Sequence, residues 1–515
     1  MTTRKKLKVL VMEPANQHLP YETARPNGSL GPAYLVGALR ARGIEADYLD
    51  AAVGCDRLAL QETFFRRVDQ ENGNVRCGMS QAQLAEIVAG YDIVATSSIF
   101  TVQTRMHFEV ASIAKKVSKE NNHPILVISG GVNARALREH FLSNCFDVVA
   151  LGEGEQTIVD IVDQYSRNNP DFSQVDGIAY RSGGITVTRP PRRIQLGKYI
   201  DDLPVPALDA LPLDIYRDLG IPHSGRSAPG RTFAAIQTAR GCQDKCTFCH
   251  ISLEKLQPEL VGGVGQLRMF SNERVGEDVK RAVDLGVQRL YFEDDNLFFN
   301  KRRLTELAPY LKHDGLDYSD VNGANLRFLV KQEKSGSYTI DNEFIELLAG
   351  FGLRELSLPY ETRSREMMKK YASGKYDPVV MDPIGIAKAV KKAGIRPTAN
   401  MMIGFRDESW ESILQTKEFA KELIDAGLDS VGFAIPVPYP GTVDFETLMQ
   451  DSVLRADFDQ NVLAYTDSMH TRGRPLFPTA VPSERLVAAV RDFWYEINDS
   501  SYTSNKDALA SSPTS

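Results

Sequence analysis

Short apolar runs alternate with segments of helical periodicity along the first third of the chain. "LKVLVME", "IEADYLD", "YDIVATSS", "HPILVISGG" and "FDVVALGEGE" have the apolar, β-branched character of five strands. The intervening segments, such as "LGPAYLVGALRARG" and "TRMHFEVASIAKKVSKE", place apolar residues three and four positions apart. This alternation predicts an α/β module over residues 1–165, with a doubly wound parallel sheet covered by helices.

A Pro- and Gly-rich passage ends this pattern, and a second series of strands follows it. Residues 166–232 contain "RSGGITVTRPPRR" and "DDLPVPALDALPLDIY", which we interpret as a linker with one hairpin-like segment. Over residues 233–445, six strands alternate with helical segments and predict a partial (β/α)6 barrel with its chemistry at the strand C-terminal ends. Residues 446–500 are predicted to be a helical C-terminal region, and residues 501–515 a disordered tail.

Composition narrows the classes of function. The chain has 515 residues, 43% of them hydrophobic and 25% charged, as expected for a soluble protein of two or three domains. A net charge of −7 and scattered Lys and Arg residues argue against a nucleic-acid-binding surface. No apolar run reaches the roughly 20 residues of a membrane span, and no signal peptide is present, so we expect a cytoplasmic protein. In that reducing compartment its six cysteines are not expected to form a disulfide framework.

Three of the cysteines are clustered in the stretch "TARGCQDKCTFCH". Cys242, Cys246 and Cys249 lie on the loop after the first predicted barrel strand, at the end where barrel enzymes carry out chemistry. Three thiolates can hold a four-iron cluster and leave one iron open to a non-protein ligand. Zinc is the main alternative, but structural zinc sites usually have four ligands, and His250 directly follows Cys249 and is poorly placed as the fourth. A chance cluster of buried cysteines is the third possibility.

The cysteine spacing resembles that of the radical S-adenosylmethionine (radical SAM) enzymes. Their signature is cysteine, three residues, cysteine, two residues, cysteine, with an aromatic residue before the third cysteine, which is Phe248 here. The resemblance implies a [4Fe–4S] cluster whose open iron binds S-adenosylmethionine and donates the electron that releases a 5′-deoxyadenosyl radical. It also implies an electron donor such as flavodoxin or ferredoxin.

Further segments are similar to the same family in order and position. "YFEDDN" resembles its acidic motif for the methionine amino group, which implies Asp294 and Asp295. "LSLPYETRS" implies that Glu361 contacts the ribose, and "NMMIGFRDES" implies that Gly404 lets the backbone approach the cofactor. Taken alone, the paired acids are also typical of a solvated strand end, and Glu361 could instead cap a helix or pair with a nearby arginine.

The N-terminal module resembles the subclass that carries a Rossmann-like cobalamin-binding domain, and this likeness spans nearly the whole predicted ordered length. It implies that small and polar residues at the strand ends contact cobalamin: Ser97, Ser98, Gly130, Gly131, Asn133, Gly152, Glu153 and Gly154. The alternative is that the glycines form the tight turns that any such module needs. The motif Asp-x-His-x-x-Gly is absent, and "GGVN" stands where the subclass often has "GGxH", so no residue is assigned to the lower face of cobalt.

This resemblance implies a cobalamin-dependent radical SAM methyltransferase that methylates an unactivated carbon of a small-molecule or lipid-like metabolite. The alternative within the family is a radical oxidative cyclase or another radical oxidoreductase without methyl transfer. A non-enzymatic cobalamin or iron–sulfur sensor is the third hypothesis. Cys55, Cys77 and Cys145 all fall in the N-terminal module, so a methyl-carrying cysteine is unsupported. No catalytic residue and no substrate can be assigned from the sequence.

Overall fold

Two large sheets, one in each half of the chain, organise the fold. We describe it from a computed structural model, which describes residues 5–197, 199–222, 227–320, 322–471 and 477–498. The strands of the first half are β1 (Lys8–Glu13), β2 (Asn16–His18), β3 (Glu45–Asp50), β4 (Arg67–Asp69), β5 (Val75–Cys77), β6 (Ile93–Ser97), β7 (Leu126–Gly130), β8 (Val148–Ala150), β9 (Ile178–Ser182) and β10 (Ile185–Arg189). Its helices are α1 (Leu30–Ala41), α2 (Gln81–Val88), α3 (Thr104–Glu120), α4 (Val132–Ala136), α5 (Arg138–Ser143) and α6 (Gly154–Tyr165).

The first sheet has seven strands in the order β10-β9-β8-β7-β6-β1-β3. Strands β3, β1, β6, β7 and β8 are parallel, and their apolar residues alternate between two cores: Val9 and Val11 pack on one face, Leu10 and Met12 on the other. The strand order reverses between β1 and β6. Open α/β sheets bind their ligands at the carboxyl edge of such a switch point.

The first sheet extends beyond its predicted boundary. Strands β9 and β10 form a hairpin that pairs antiparallel with β8, so the sheet reaches residue 189 rather than ending before residue 165. The proposed linker therefore starts later, and its hairpin-like segment belongs to the sheet. A small sheet of β2, β5 and β4 follows β1 and was not predicted, because its strands are only three residues long.

The second half begins after helix α7 (Leu213–Leu219). Its strands are β11 (Phe233–Ile236), β12 (Ala239–Arg240), β13 (Arg268–Met269), β14 (Arg289–Phe292), β15 (Asp317–Asp320), β16 (Val330–Gln332), β17 (Tyr338–Ile340), β18 (Leu353–Glu361), β19 (Arg396–Met402) and β20 (Ser430–Ala434). Its helices are α8 (His250–Leu256), α9 (Pro258–Val261), α10 (Asn272–Asp284), α11 (Lys301–Leu311), α12 (Asn342–Gly350), α13 (Arg365–Tyr371), α14 (Pro383–Lys392), α15 (Trp410–Asp425), α16 (Val443–Leu448), α17 (Ser452–Gln460), α18 (Val462–Ser468) and α19 (Ser483–Ile497).

All six strands predicted for the second half are present, and they form one parallel sheet in the order β11-β14-β15-β18-β19-β20. Because the strands are parallel and follow the chain order, their carboxyl ends lie along one edge. The loop with the three cysteines starts from this edge, directly after β11 and the short strand β12.

The C-terminal helices divide between the two halves. Phe445, Phe458 and Val462 on α16, α17 and α18 join a core of the first sheet, whereas Leu486 and Phe493 on α19 join the core of the second sheet. The predicted helical C-terminal region is therefore not a separate unit. The tail at 501–515 lies outside the described residues. Among the described helices, none is both long and apolar enough to cross a membrane.

Candidate active site

The cysteine loop runs from β12 to the start of α8 and carries three free thiols. Cys246 is only 4% exposed, and burial raises the pKa of its thiol to about 12, because a thiolate is costly to hold away from water. Two N–H groups point at the sulfur of Cys242: the Asp244 amide at 3.4 Å and the Asn296 side-chain amide at 3.7 Å. The loop thus supplies three thiols and polar donors for a negatively charged sulfur.

Lys375 supplies positive charge beside these thiols. Burial raises the pKa of Cys246 and of Cys249 to about 12, and the Lys375 ammonium group offsets part of this rise. Lys375 also forms an ion pair of 2.7 Å with Glu361. It also lies over the ring of Phe248, 5.9 Å from the centroid. Lys375, which the sequence analysis missed, therefore contacts both Glu361 and Phe248 beside the cysteines. The ion pair of Glu361 is with this lysine, and not with Arg363 or Arg365.

The acids after β14 tie two strand ends together. Asp294 is buried and accepts hydrogen bonds from the backbone N–H and the hydroxyl of Thr238, the latter at 2.6 Å. Burial raises the pKa of Asp294 to about 6. Asp295 is exposed, and its carboxylate accepts a 2.7 Å hydrogen bond from the N–H of Gly241. Both acids hold the start of the cysteine loop, so neither is merely a solvated strand end.

Gly404 follows β19 with a φ of +82°. A Cβ at this position would lie 2.7 Å from the side chain of Leu486 on α19. The packing of α19 is therefore sufficient reason for glycine here, and the proposed approach of the backbone to a cofactor stays a prediction.

At the switch point of the first sheet, several residues predicted to contact cobalamin are buried and form hydrogen bonds or tight backbone contacts within the protein. Ser98 and Asn133 are fully buried, and the Asn133 amide donates to the Ser98 hydroxyl at 2.9 Å. Gly131 has a φ of +89°, and a Cβ there would lie 2.5 Å from the carbonyl oxygen of Ser98. The remaining small residues, which also sit at this edge, are Ser97, Gly130, Gly152 and Gly154.

The side chains exposed at this edge are apolar. Ile99 and Phe100, directly after Ser98, are 38% and 68% exposed. Singly exposed apolar side chains are common, but two adjacent ones form a small apolar patch, which is more informative. The sequence analysis did not select this pair, although two bulky apolar residues after a strand end of small residues were a visible signal.

Glu153, which was also predicted to contact cobalamin, forms ion pairs with two arginines. Its carboxylate accepts hydrogen bonds from Arg268 at 2.7 Å and from Arg240 at 3.1 Å, and Arg240 also donates to Glu155 at 2.6 Å. Burial by itself raises the pKa of Glu153, but the two guanidinium groups together lower it below its ordinary value. We call these four side chains the docking cluster, since they fix the carboxyl edge of the first sheet to the paired strands β12 and β13, and β12 leads directly into the cysteine loop.

A second buried ion pair lies beside the docking cluster. Arg135 on α4 pairs with Glu254 on α8, and each side chain is 9% exposed. Burial alone raises the pKa of Glu254, but Arg135 and then His250 lower it to about 2. The two sheet edges that were predicted to carry cofactors are therefore held together by charge pairs on both sides of the cysteine loop.

The donor set of the loop fits an iron–sulfur cluster in its chemistry, with three thiols, amide donors and a nearby ammonium group. Within the described ranges, no three His, Cys, Asp or Glu side chains are already arranged to hold a metal ion. Formation of a cluster would require the three thiols to lose their protons, as metal binding to cysteine does generally.

Residues 236–420 match the family model of the radical SAM superfamily. The chain is 28% identical over 381 residues to an uncharacterized methyltransferase of Pyrococcus horikoshii, covering 72% of this chain and 73% of the relative. It is 24% identical to cytidylyl-2-hydroxyethylphosphonate methyltransferase of Streptomyces wedmorensis, covering 85% and 81%. The radical S-adenosylmethionine methyltransferase TsrM of Kitasatospora setae, solved with cobalamin and a [4Fe–4S] cluster bound, superposes with a TM-score of 0.57 at 15% identity, covering 86% of this chain and 75% of TsrM. This last likeness establishes a shared α/β fold.

Proposed function

We propose that this chain is a cobalamin-dependent methyltransferase of the radical SAM superfamily, whose family model matches residues 236–420. In this proposal residues 1–189 form a Rossmann-like cobalamin-binding module, and the six-stranded sheet forms a partial (β/α)6 barrel for the cluster and S-adenosylmethionine. One observation carries the proposal. The docking cluster ties the carboxyl edge of the first sheet, just after β8, to strands β12 and β13, and the cysteine loop starts from β12. This supports a single site in which two edges suited to two cofactors meet.

In the cluster site, Cys242, Cys246 and Cys249 would hold a [4Fe–4S] cluster. Lys375 would balance the negative charge of the thiolates, and the Asn296 amide would donate to a sulfur, as such groups do around iron–sulfur clusters. An external one-electron donor, such as flavodoxin or ferredoxin, would reduce the cluster.

The S-adenosylmethionine contacts are proposed on the same edge. Asp294 and Asp295 would face the methionine amino group, Glu361 the ribose, and Phe248 and Gly404 would border the cofactor. Lys375 already binds Glu361, so this carboxylate is oriented beside the cysteines before any ligand arrives.

In the first sheet, the exposed side chains of Ile99 and Phe100 offer apolar surface to one face of a corrin ring. The buried Asn133–Ser98 hydrogen bond would keep the loops after β6 and β7 in place beneath it. When bound, the three cofactors supply an electron, an adenosyl radical and a transferable methyl group. The protein's part is to align the two edges and to exclude water between them, and the proposed outcome is methylation of an unactivated carbon in a small-molecule or lipid-like metabolite.

The test starts with the cluster. The full chain, reconstituted with iron and sulfide without oxygen, should show the visible absorption of a [4Fe–4S] centre, and Cys246→Ala should lose it. Cys145→Ala is the matched control, since Cys145 is an exposed thiol in the first half of the chain. Stoichiometric zinc without iron-dependent absorption would overturn the assignment of the cluster.

The reaction is tested with methyl-deuterated S-adenosylmethionine and substrates nominated by neighbouring genes. A methyltransferase of this kind should transfer the labelled methyl group and release both S-adenosylhomocysteine and 5′-deoxyadenosine. A product that closes a ring or loses hydrogen, without label and without S-adenosylhomocysteine, would favour a radical oxidative cyclase instead. Failure to consume S-adenosylmethionine under strong reductant would favour a sensor.

A further inference from the structure

A cavity of about 590 Å³ lies beside the proposed active site, where helices α4 and α5 of the first half meet α8, α9, α16 and α17. None of the residues proposed to hold the cluster, S-adenosylmethionine or cobalamin lines it. Its wall on α8 includes Leu253, four residues beyond Cys249, which is roughly 6 Å along a helix at 1.5 Å per residue. The cavity is thus a separate space within about one helical turn of the cysteine loop.

The lining of the cavity includes both apolar and charged side chains. Leu253, Phe445 and Phe458 contribute apolar surface. Arg135 is paired with Glu254, so it is not a free cation of this lining. The three apolar side chains can cover an apolar group.

Arg138 is the cation of this cavity that lacks a carboxylate partner among the described residues. Arg455 pairs with Glu446 at 3.6 Å, and His140 lies 3.3 Å from the carboxylate of Asp459. Arg138 instead makes one long bond of 3.4 Å to a backbone carbonyl oxygen, and its buried Nε–H has no hydrogen-bond acceptor. The buried Nε–H is closed to a ligand in the cavity, so the donors available there are the terminal amino groups of Arg138. Two such N–H groups match the two oxygens of a carboxylate or phosphate.

We propose that this cavity binds a small amphiphilic oxyanion, with its carboxylate or phosphate on Arg138 and its apolar body against Leu253, Phe445 and Phe458. The volume lies in the usual range of ligand sites, roughly 300–1,000 Å³, and it suits a chain or ring of moderate size. The proposal stands apart from the methyltransferase assignment, because it depends only on the shape and charge of the cavity.

The test measures binding of octanoate, octyl phosphate and the neutral octanamide to the cluster-reconstituted full chain by calorimetry. Octanoate or octyl phosphate should bind at one site, and octanamide at least about tenfold more weakly, because it lacks the charge-assisted hydrogen bond. Arg138→Gln should weaken binding of the anion by about tenfold or more, and Arg138→Lys by less. Comparison of the two anions distinguishes a carboxylate ligand from a phosphate ligand.

Arg302→Gln is the matched control, since Arg302 is an exposed arginine on α11 outside the cavity, and it should leave binding unchanged. A photoreactive diazirine derivative of octanoate should label peptides of α5, α8 or α17. Equal binding of octanamide, an unchanged affinity in Arg138→Gln, or labelling that maps elsewhere would each overturn the proposal. No activity is measured, so these outcomes are independent of the proposed reaction.

Discussion

The docking cluster gives the sharpest test of how the two halves are joined, through the substitution Glu153→Gln. Glu153 accepts from both Arg268 and Arg240, and the Arg268 side chain is only 2% exposed. Removing one partner of a buried ion pair typically costs about 3–5 kcal/mol, because it leaves a charge buried without compensation. Here Glu155 still pairs with Arg240, and glutamine still accepts a hydrogen bond, so we expect about 2–3 kcal/mol.

The loss should appear as a lower free energy of unfolding in urea, measured on the full chain by circular dichroism at neutral pH. Glu259→Gln is the matched control, because Glu259 pairs with Arg193 on the surface, with exposed fractions of 80% and 64%. Such surface pairs contribute roughly 0–1 kcal/mol, so the control should unfold almost like the wild type. Equal stability of the two variants would refute the role that we give to Glu153.

The same variant separates docking from cluster binding. If the cluster depends only on its own loop, Glu153→Gln should keep its [4Fe–4S] absorption and still cleave S-adenosylmethionine. The ratio of methylated product to 5′-deoxyadenosine should nevertheless fall, because the two cofactor edges would be less firmly aligned. The pKa of Glu153 is lowered in the folded state, so the contribution of its pairs is present above pH ~4.3 and is lost as the pH falls through the folded pKa.

Two further substitutions test the edge of the first sheet. Burial and then Asp50 raise the pKa of Glu13 to about 8, whereas the unfolded value is roughly 4.3. The contribution of protonated Glu13 to the free energy of unfolding is therefore fully present below pH ~4.3 and is lost as the pH rises to 8. Glu13→Gln should remove a slope of up to about 1.4 kcal/mol per pH unit in this window, which urea titrations at pH 5 and pH 8 would detect; an unchanged slope contradicts the raised pKa. Gly131→Ala should lower the free energy of unfolding by about 3 kcal/mol or more, because of its φ of +89° and the close Ser98 carbonyl. Gly183→Ala is the control, and with φ +58° and open space around it, it should cost about 1–2 kcal/mol in thermal or urea unfolding. Similar costs for the two variants would contradict the contact at Gly131.

The strands of both large sheets were predictable because their signal is local. Runs such as "KVLVME" and "RLYF" are apolar over consecutive positions, as expected for strands buried on both faces, and each ends near a turn residue. The cysteine spacing is equally local, since all three thiols fall on one loop. Strands β2, β4 and β5 have three residues each, gave no such signal and were missed. The hairpin β9–β10 was recognised as hairpin-like, but the Pro- and Gly-rich sequence around it led to its assignment to the linker.

The charge pairs of the site were not predictable, because their partners are distant in sequence. Glu153 and Arg240 are 87 residues apart, and Arg135 and Glu254 are 119 residues apart. A strand end with "GEGE" shows that acids are present, but only the fold shows which cations reach them. Even Lys375, 14 residues from Glu361, depends on the left-handed backbone of Glu361 at the end of β18, which a sequence pattern does not reveal.

The glycines of this site show why the sequence pattern must be combined with the contacts seen in the fold. A glycine at a strand end indicates that something approaches the backbone closely or that φ is positive, but it does not say which atoms approach. At Gly131 the approaching atom is a carbonyl oxygen of the protein, and at Gly404 it is the side chain of Leu486. Protein packing already requires both glycines, so they carry little weight as cofactor contacts. The exposed pair Ile99 and Phe100 carries more weight for a cofactor at the first sheet, because these two adjacent bulky apolar side chains are left exposed by the described residues around them.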